Sequence, residues 1–319
     1  MHEFNIINKY FSKLSSNNKS SLNLNDDVFF DKSKKLVVSI DTYVEGIHFL
    51  NFKNPDLVIK KILRSSISDL ICKGVKPTYY FISGSGNKKT FSRKNLKLIS
   101  KSLSEEQKKY SIYLCGGDTV FSNKLSFTIT SIGFSDNIIF RNKAKLNDDI
   151  YVTGNLGDSF VGLKVLQKKI KLNQNLIDYF KKKYFHPDLH IDITRKLFSF
   201  ANTSIDVSDG LIADLEKMIN KQKLSYRLHL NDIPISRNLE KLIDLKIISK
   251  KSSVSFGDDY QILFTAKPSK FRIISKISKL LGVKISKIGK ICASSQKSQI
   301  IDENNNKIAF KNKGYFHKF

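Results

Sequence analysis

Residues 205–211 read Ile-Asp-Val-Ser-Asp-Gly-Leu. Asp206 sits inside an apolar run, where a carboxylate without a partner is costly. Asp209-Gly210 then supplies a turn, and Leu211 opens a helical pattern. The segment therefore reads as a strand over 203–207, an acidic turn and a helix over 211–222. The same grammar appears earlier. Residues 36–41 (Leu-Val-Val-Ser-Ile-Asp) form an apolar strand pattern that ends in Ser39-Ile40-Asp41-Thr42.

Further acids stand in Leu24-Asn25-Asp26-Asp27, Ser68-Asp69-Leu70, Gly116-Gly117-Asp118-Thr119 and Gly257-Asp258-Asp259-Tyr260. A single Asp beside Gly is ordinarily a turn or a helix cap. Asp69 is different, because it falls within the helical spacing of residues 56–72, where an acid on an apolar face needs a partner. Aspartate is a hard oxygen ligand on a short stem. Magnesium takes one or two such carboxylates, with water and substrate phosphates filling the remaining positions. Aspartates from distant segments, each just past a strand, can converge on one such site.

Outward from these acids, strands are expected at 78–83, 111–115 and 125–134, with a Lys-rich helix over 92–109. In the strand at 125–134, Leu125, Phe127, Ile129 and Ser131 face one way, and Ser126, Thr128, Thr130 and Ile132 the other. A polar stretch at 141–148 marks a domain junction. Beyond it, strands are expected at 149–153, 225–230, 260–266 and 285–292, and helices at 157–168, 189–200 and 268–281. Strands and helices mix in both halves, which gives an α/β or α+β class. The length of 319 residues suggests two domains. Gly84-Ser85-Gly86-Asn87-Lys88-Lys89-Thr90 superficially resembles a phosphate-binding loop, but Asn87 stands where that motif needs Gly before Lys88. It reads as a hairpin-like connector.

The formal net charge is +26, which invites a nucleic-acid reading. Only 7 of the 55 basic residues are Arg, the side chain that grips phosphates and bases bidentately. The lysines spread through every segment, so the charge reads as solvated surface with no nucleic-acid partner. Cys72, Cys115 and Cys292 are too few and too scattered for a disulfide framework or a zinc site, and they suit a reducing cytoplasm. The opening Met1-His2-Glu3-Phe4-Asn5-Ile6 is too polar for a signal peptide, and no run is long enough to span a membrane.

In their joint order these segments resemble the thiamine-monophosphate kinases. That family sits in a superfamily with aminoimidazole ribonucleotide synthetase and selenophosphate synthetase. The resemblance runs from Glu3-Phe4…Tyr10-Phe11 through the acidic segments, Gly46-Ile47-His48-Phe49 and Tyr151-Val152-Thr153-Gly154, to Gly314-Tyr315-Phe316-His317. Gly-Gly-Asp-Thr and Asp-Val-Ser-Asp-Gly are its most specific parts. Four departures are visible. Leu24-Asn25 precede the first acidic pair where the family usually has glycine. Ile40 replaces a usual threonine, so a metal ligand there must be its carbonyl. Asp258 stands where glutamate is usual. The tail ends Tyr-Phe-His-Lys-Phe.

The resemblance implies a PurM-like fold. Residues 1–142 would form an ATP- and magnesium-binding domain whose sheet joins a partner's in a barrel-like homodimer core. Residues 143–319 would form an α+β domain completing the active site. It implies a kinase that moves a phosphoryl group directly from ATP to thiamine monophosphate, using several magnesium ions. Asp27, Ser39, Ile40, Asp41, Asp69, Asp118, Asp206 and Asp209 would hold the ions. Gly117, Asp118, Arg141, Ser208 and Tyr110 would hold ATP. His48, Asp258 and Tyr315 would line the thiamine pocket, the carboxylate and aromatic faces suiting a cationic thiazolium. The acceptor is already a phosphate, largely dianionic above its second pKa of ~6, so no general base is required. Positioning and charge neutralisation would then carry the reaction. Selenophosphate synthetase would show a reactive Cys near the start, and none precedes Cys72. The hydrogenase maturation relative would show a C-terminal Cys, where this sequence has Phe319. Charge alone favours a nucleic-acid-binding protein, and the intact aspartates oppose an inactive scaffold.

Overall fold

The computed structural model describes residues 3–310 and 312–317; Met1, His2, Lys311, Lys318 and Phe319 lie outside them. The first half contains α1 (Glu3–Ile6), β1 (Phe29–Asp31), β2 (Leu36–Val44), α2 (Pro55–Cys72), β3 (Pro77–Gly86), α3 (Arg93–Tyr110), β4 (Tyr113–Gly116), β5 (Thr119–Phe121) and β6 (Ser126–Phe134). The second half begins with β7 (Asp149–Thr153), α4 (Asp158–Leu166), α5 (Gln174–Phe185), α6 (Thr194–Leu197), β8 (Ala201–Asp206), α7 (Leu211–Met218) and β9 (Leu224–His229). It continues with α8 (Arg237–Asp244), α9 (Lys250–Ser255), β10 (Ile262–Ala266), α10 (Phe271–Leu281), β11 (Ile285–Ala293) and β12 (Gln299–Ile301).

Each half builds one sheet. The first runs β1-β2-β6-β3-β4, with β5 also on β3; the second runs β12-β9-β11-β7-β10-β8. Neither closes into a barrel among the described residues of the single chain. Alternation fixes the first sheet's faces. Along β2, Val37, Ser39 and Tyr43 are buried while Ile40 is 66% exposed. Along β6, Phe127, Ile129 and Ser131 point into the protein, as their spacing predicts.

Helix α2 lies under that inner face and also reaches the second half, which is why nearly all of it is buried. Its polar groups make the crossing. Arg64 donates to Pro187 O at 3.1 Å, Lys73 Nζ to Ser204 O at 2.8 Å and Ser68 Oγ to Asp206 Oδ2 at 2.8 Å. One apolar core accordingly contains Ile62 and Ile67 of α2 together with Tyr151 and Phe264 of the second sheet.

Several sequence expectations are corrected. Residues 84–90 are no hairpin. β3 runs on to Gly86, Asn87 Oδ1 caps a turn by accepting from Lys89 N and Thr90 N, and α3 carries the chain to β4, which is parallel to β3. The helix expected over 189–200 shrinks to a short turn at Ile191–Ile193 and the four residues of α6. β-branched Ile191, Ile193 and Thr194 crowd that stretch. α5 was not anticipated, although Asn173 caps it by accepting from Leu176 N at 3.1 Å. α8 was missed in the same way behind its Ser236 cap.

Candidate active site

The site forms where β2, the C-terminal end of α2 and the β8–α7 turn meet. Asp41 is on the inner face of β2, Asp69 is one turn from the end of α2, and Asp206 is the last residue of β8. With Ser208, Asp209, Asp258, His48 and Tyr315 they line one cleft of about 510 Å³. Its walls come from both halves of the chain.

The electrostatics of the acids divide them into two kinds. Burial pushes Asp41 up to about 7, against hydrogen bonds from Tyr43 and Ser66. Burial, then the charges of Asp41, Asp206 and Asp27, hold Asp69 well above the usual carboxylate range. Burial, then Asp27 and Asp214, do the same to Asp206. Like charges in a low-dielectric site resist joint ionisation. The partners these acids do have are hydroxyls. Ser39 Oγ donates to Asp69 Oδ2, and Ser68 Oγ donates to Asp206 Oδ2.

Asp27 is of the other kind. Burial opposes its ionisation, but Lys73 and Arg141 outweigh burial and hold it below the usual range. Lys73 is fully buried, 2.8 Å from Asp26 Oδ1 and 2.6 Å from Asp27 Oδ2. Arg141 donates to Asp27 Oδ1 at 3.3 Å and to Lys217 O at 2.8 Å. Asp209 is likewise paired, through Lys217, which also bonds Asp214 Oδ1 at 3.1 Å. Lys73 and Lys217 were not singled out from sequence. In sequence Lys73 is one more lysine, placed just past the end of the helix over 56–72.

The remaining expected residues are placed as follows. Ile40 turns its side chain to the opposite face of β2 from Ser39 and Asp41. Gly117 allows backbone contact, since a Cβ there would overlap Ile82 O. Asp118 is exposed, and Gly84 N donates to its carbonyl at 2.8 Å. It lies beside β3, three strand positions from β2, or about 14 Å at ~4.8 Å per strand, and it does not line the cleft. Tyr110 is buried at 3% exposure beneath the Arg64 guanidinium, away from the cleft.

His48 accepts from Val44 N at Nδ1 (3.0 Å), which leaves its proton on Nε2 when neutral. Burial and then His317 push its pKa down. The His48 and His317 rings lie 5.4 Å apart, and Tyr315 packs edge-on to His317 at 5.0 Å. This aromatic wall and the acids line the same cleft.

Among the described residues no three His, Cys, Asp or Glu side chains close tightly enough to ligate one ion unaided. Magnesium does not require such a cluster, since it characteristically takes one or two carboxylates and completes its shell with water and phosphate oxygens. Asp41, Asp69 and Asp206 fit this chemistry. They are hard oxygen donors, mutually repelling, and among the described residues no side-chain cation is seen to pair with them as Lys73 and Arg141 do with Asp27.

This two-sheet fold with its acid-lined cleft is PurM-like, and the family model "AIR synthase related protein, N-terminal domain" matches residues 25–135. The chain is 36% identical to the thiamine-monophosphate kinase of Buchnera aphidicola subsp. Schizaphis graminum, over 99% of this chain and 98% of that one. It is 31% identical to the thiamine-monophosphate kinase of Haemophilus influenzae, over 91% and 89%. The chain belongs to the thiamine-monophosphate kinase family. Its fold matches that of AaThiL complexed with AMPPCP and TMP, with a TM-score of 0.86 at 22% identity, covering 99% of this chain and 97% of that one.

Proposed function

We infer that this chain catalyses transfer of the γ-phosphoryl group of ATP to the phosphate of thiamine monophosphate, giving thiamine diphosphate, the last step of thiamine diphosphate synthesis. Membership of the family supports the reaction. The observation that carries the site assignment is the trio of half-buried Asp41 and Asp69 with buried Asp206, whose charges no side-chain cation among the described residues is seen to pair, where two polyanionic substrates must meet. Asp41, Asp69 and Asp206 would hold magnesium, with Asp27, Asp209 and the Ile40 carbonyl beside them. Bound magnesium would neutralise phosphate charge during in-line transfer.

The chain's own residues have separate tasks. Ser39 and Ser68 orient Asp69 and Asp206 by donating to them. Lys73 and Arg141 fix Asp27. The glycine-backed main chain at Gly117-Asp118, with Ser208 and Arg141, would hold ATP. His48 offers Nε2–H, and Tyr315 an aromatic face, to thiamine monophosphate. Residues 1–142 act as the nucleotide and dimerisation domain and residues 143–319 as the domain completing the site.

A homodimer is part of this reading. The outer face of the first sheet leaves Ile40, Tyr79, Phe81 and Phe134 exposed among the described residues. A two-fold partner sheet, forming a barrel-like core, would cover that apolar face. Among the described residues no helix is long and apolar enough to cross a membrane, and a cytoplasmic setting is proposed.

The test is a coupled assay. Purified protein with ATP and magnesium is offered thiamine monophosphate, free thiamine and an aminoimidazole precursor. Thiamine diphosphate from the first alone is expected. Turnover of either other substrate, with none of the monophosphate, would overturn the assignment.

A further inference from the structure

Lys61 is out of character for a helix interior. Its side chain is 2% exposed, on the buried face of α2. Its Nζ lies 2.8 Å from Asp258 Oδ1, 3.4 Å from Tyr184 O and 4.0 Å above the Tyr184 ring. Tyr260 OH donates to the same Asp258 oxygen at 3.0 Å. Oδ1 is therefore occupied twice, and a cation without access to solvent matches the charge of Asp258.

The loop that carries Asp258 is held hard. Asp258 and Tyr260 have φ of 68° and 52°, left-handed values that are uncommon outside glycine, above all for a bulky tyrosine. Their amides donate to Ser208 O and Val207 O, both at 2.8 Å. Gly257 leaves no room for a side chain, since a Cβ would overlap Ser208 O. The carboxylate is still 29% exposed and lines the cleft, and among the described residues its Oδ2 makes no hydrogen bond.

A carboxylate already paired with a buried ammonium offers an incoming cation little net attraction, because the cation also meets Lys61. It offers instead one fixed acceptor atom. We propose that Asp258 recognises the acceptor substrate through a hydrogen bond from a neutral N–H, such as an amino group on a heteroaromatic ring, and that Lys61 is the positioning residue that removes charge pairing from this contact. The substrate's cationic ring then falls to the aromatic wall of His48 and Tyr315. This replaces the sequence-based expectation that Asp258 pairs with the thiazolium. It rests on the thiamine monophosphate reading, since that substrate carries both an aminopyrimidine and a cationic ring.

The test is calorimetric, with the full chain, magnesium and a non-hydrolysable ATP analogue. The ligands are thiamine monophosphate, an analogue whose thiazolium is a neutral thiophene, and an analogue whose pyrimidine amine is an oxo group. In the wild type the oxo swap should cost at least about tenfold in affinity, because it removes the donor and sets two acceptors face to face. The ring-charge swap should cost about the same factor in the wild type and in Lys61→Met/Asp258→Asn. In Lys61→Met alone the unmasked carboxylate should raise the preference for the charged ring by about fivefold or more. A merely structural lysine would not move that preference. A ring-charge effect about tenfold larger in the wild type than in the double variant would overturn the proposal. If the variants do not fold, the wild type decides: a larger penalty for losing the ring charge than for losing the amine overturns it. Wild-type turnover of thiamine monophosphate in the same preparation separates the two levels. Its absence sinks the functional reading and this inference together, whereas turnover with a charge-coupled Asp258 sinks this inference alone.

Discussion

Ser68 Oγ donates to Asp206 Oδ2 at 2.8 Å, joining the helix beneath the first sheet to the last residue of a strand in the second. The next residue along α2 is Asp69, whose own carboxylate receives Ser39. Two adjacent helix positions thus join an acid of the helix to a strand of the first sheet and an acid of the second sheet to the helix, with hydroxyls as the donors.

Removing the Ser68 hydroxyl should leave Asp206, 3% exposed, without its side-chain donor. Loss of one partner to a buried polar group costs about 1–3 kcal/mol. Ser68→Ala should lower metal-free stability by that amount in urea unfolding, and magnesium with nucleotide should restore part of it. An unchanged midpoint would mean that the contact is not made.

Asp69→Asn should separate activity from stability. The neutral amide relieves repulsion from Asp41 and Asp206, so the metal-free variant should melt no lower than the wild type. Turnover should nevertheless fall about 100-fold or more, since a ligand to the proposed ion is lost. Wild-type turnover by a folded Asp69→Asn protein would contradict the metal assignment.

Lys73→Met tests the paired half of the acid set. The ammonium is fully buried between Asp26 and Asp27. Breaking a buried ion pair from one side costs about 3–5 kcal/mol. Equilibrium unfolding should show a loss of that size. Asp27→Asn added to Lys73→Met should recover part of it, because one stranded charge is then removed.

His186 predicts a pH dependence. Burial, then the charge of Arg64, push its pKa down from 6.5 to about 4. Below about pH 6.5 the unfolded chain takes up a proton that the folded chain refuses until about pH 4. Stability contributed at neutral pH is therefore lost as pH falls across that window. His186→Phe should flatten the slope of unfolding free energy between pH 6.5 and 4. An identical slope in both proteins would exclude His186 as the group responsible.

The acids were legible in the sequence where their surroundings were apolar. Asp206 inside a strand and Asp69 inside a helix announced themselves because an isolated carboxylate there is costly. Their countercharges were not legible. Lys61 and Lys73 resemble the many surface lysines of a chain with a net charge of +26, and their partners Asp258 and Asp26 lie in other elements. The separation of Asp118 from the cleft depends on β5 pairing with β3, which local periodicity does not encode. Strands β7 to β11 of the second sheet were found because their apolar runs are dense, whereas the three-residue β12 was not. Helix α5 was hidden by Lys181-Lys182-Lys183, which broke its apolar stripe.

Everything turns on whether acids from both halves of the chain bind one shared set of cations. Manganese, substituted for magnesium and followed by electron paramagnetic resonance with a non-hydrolysable ATP analogue, reads this directly. Tight binding in the wild type should weaken by about tenfold or more in both Asp69→Asn and Asp206→Asn. Undiminished manganese binding in either folded variant would show that helix α2 and the second sheet do not share an ion.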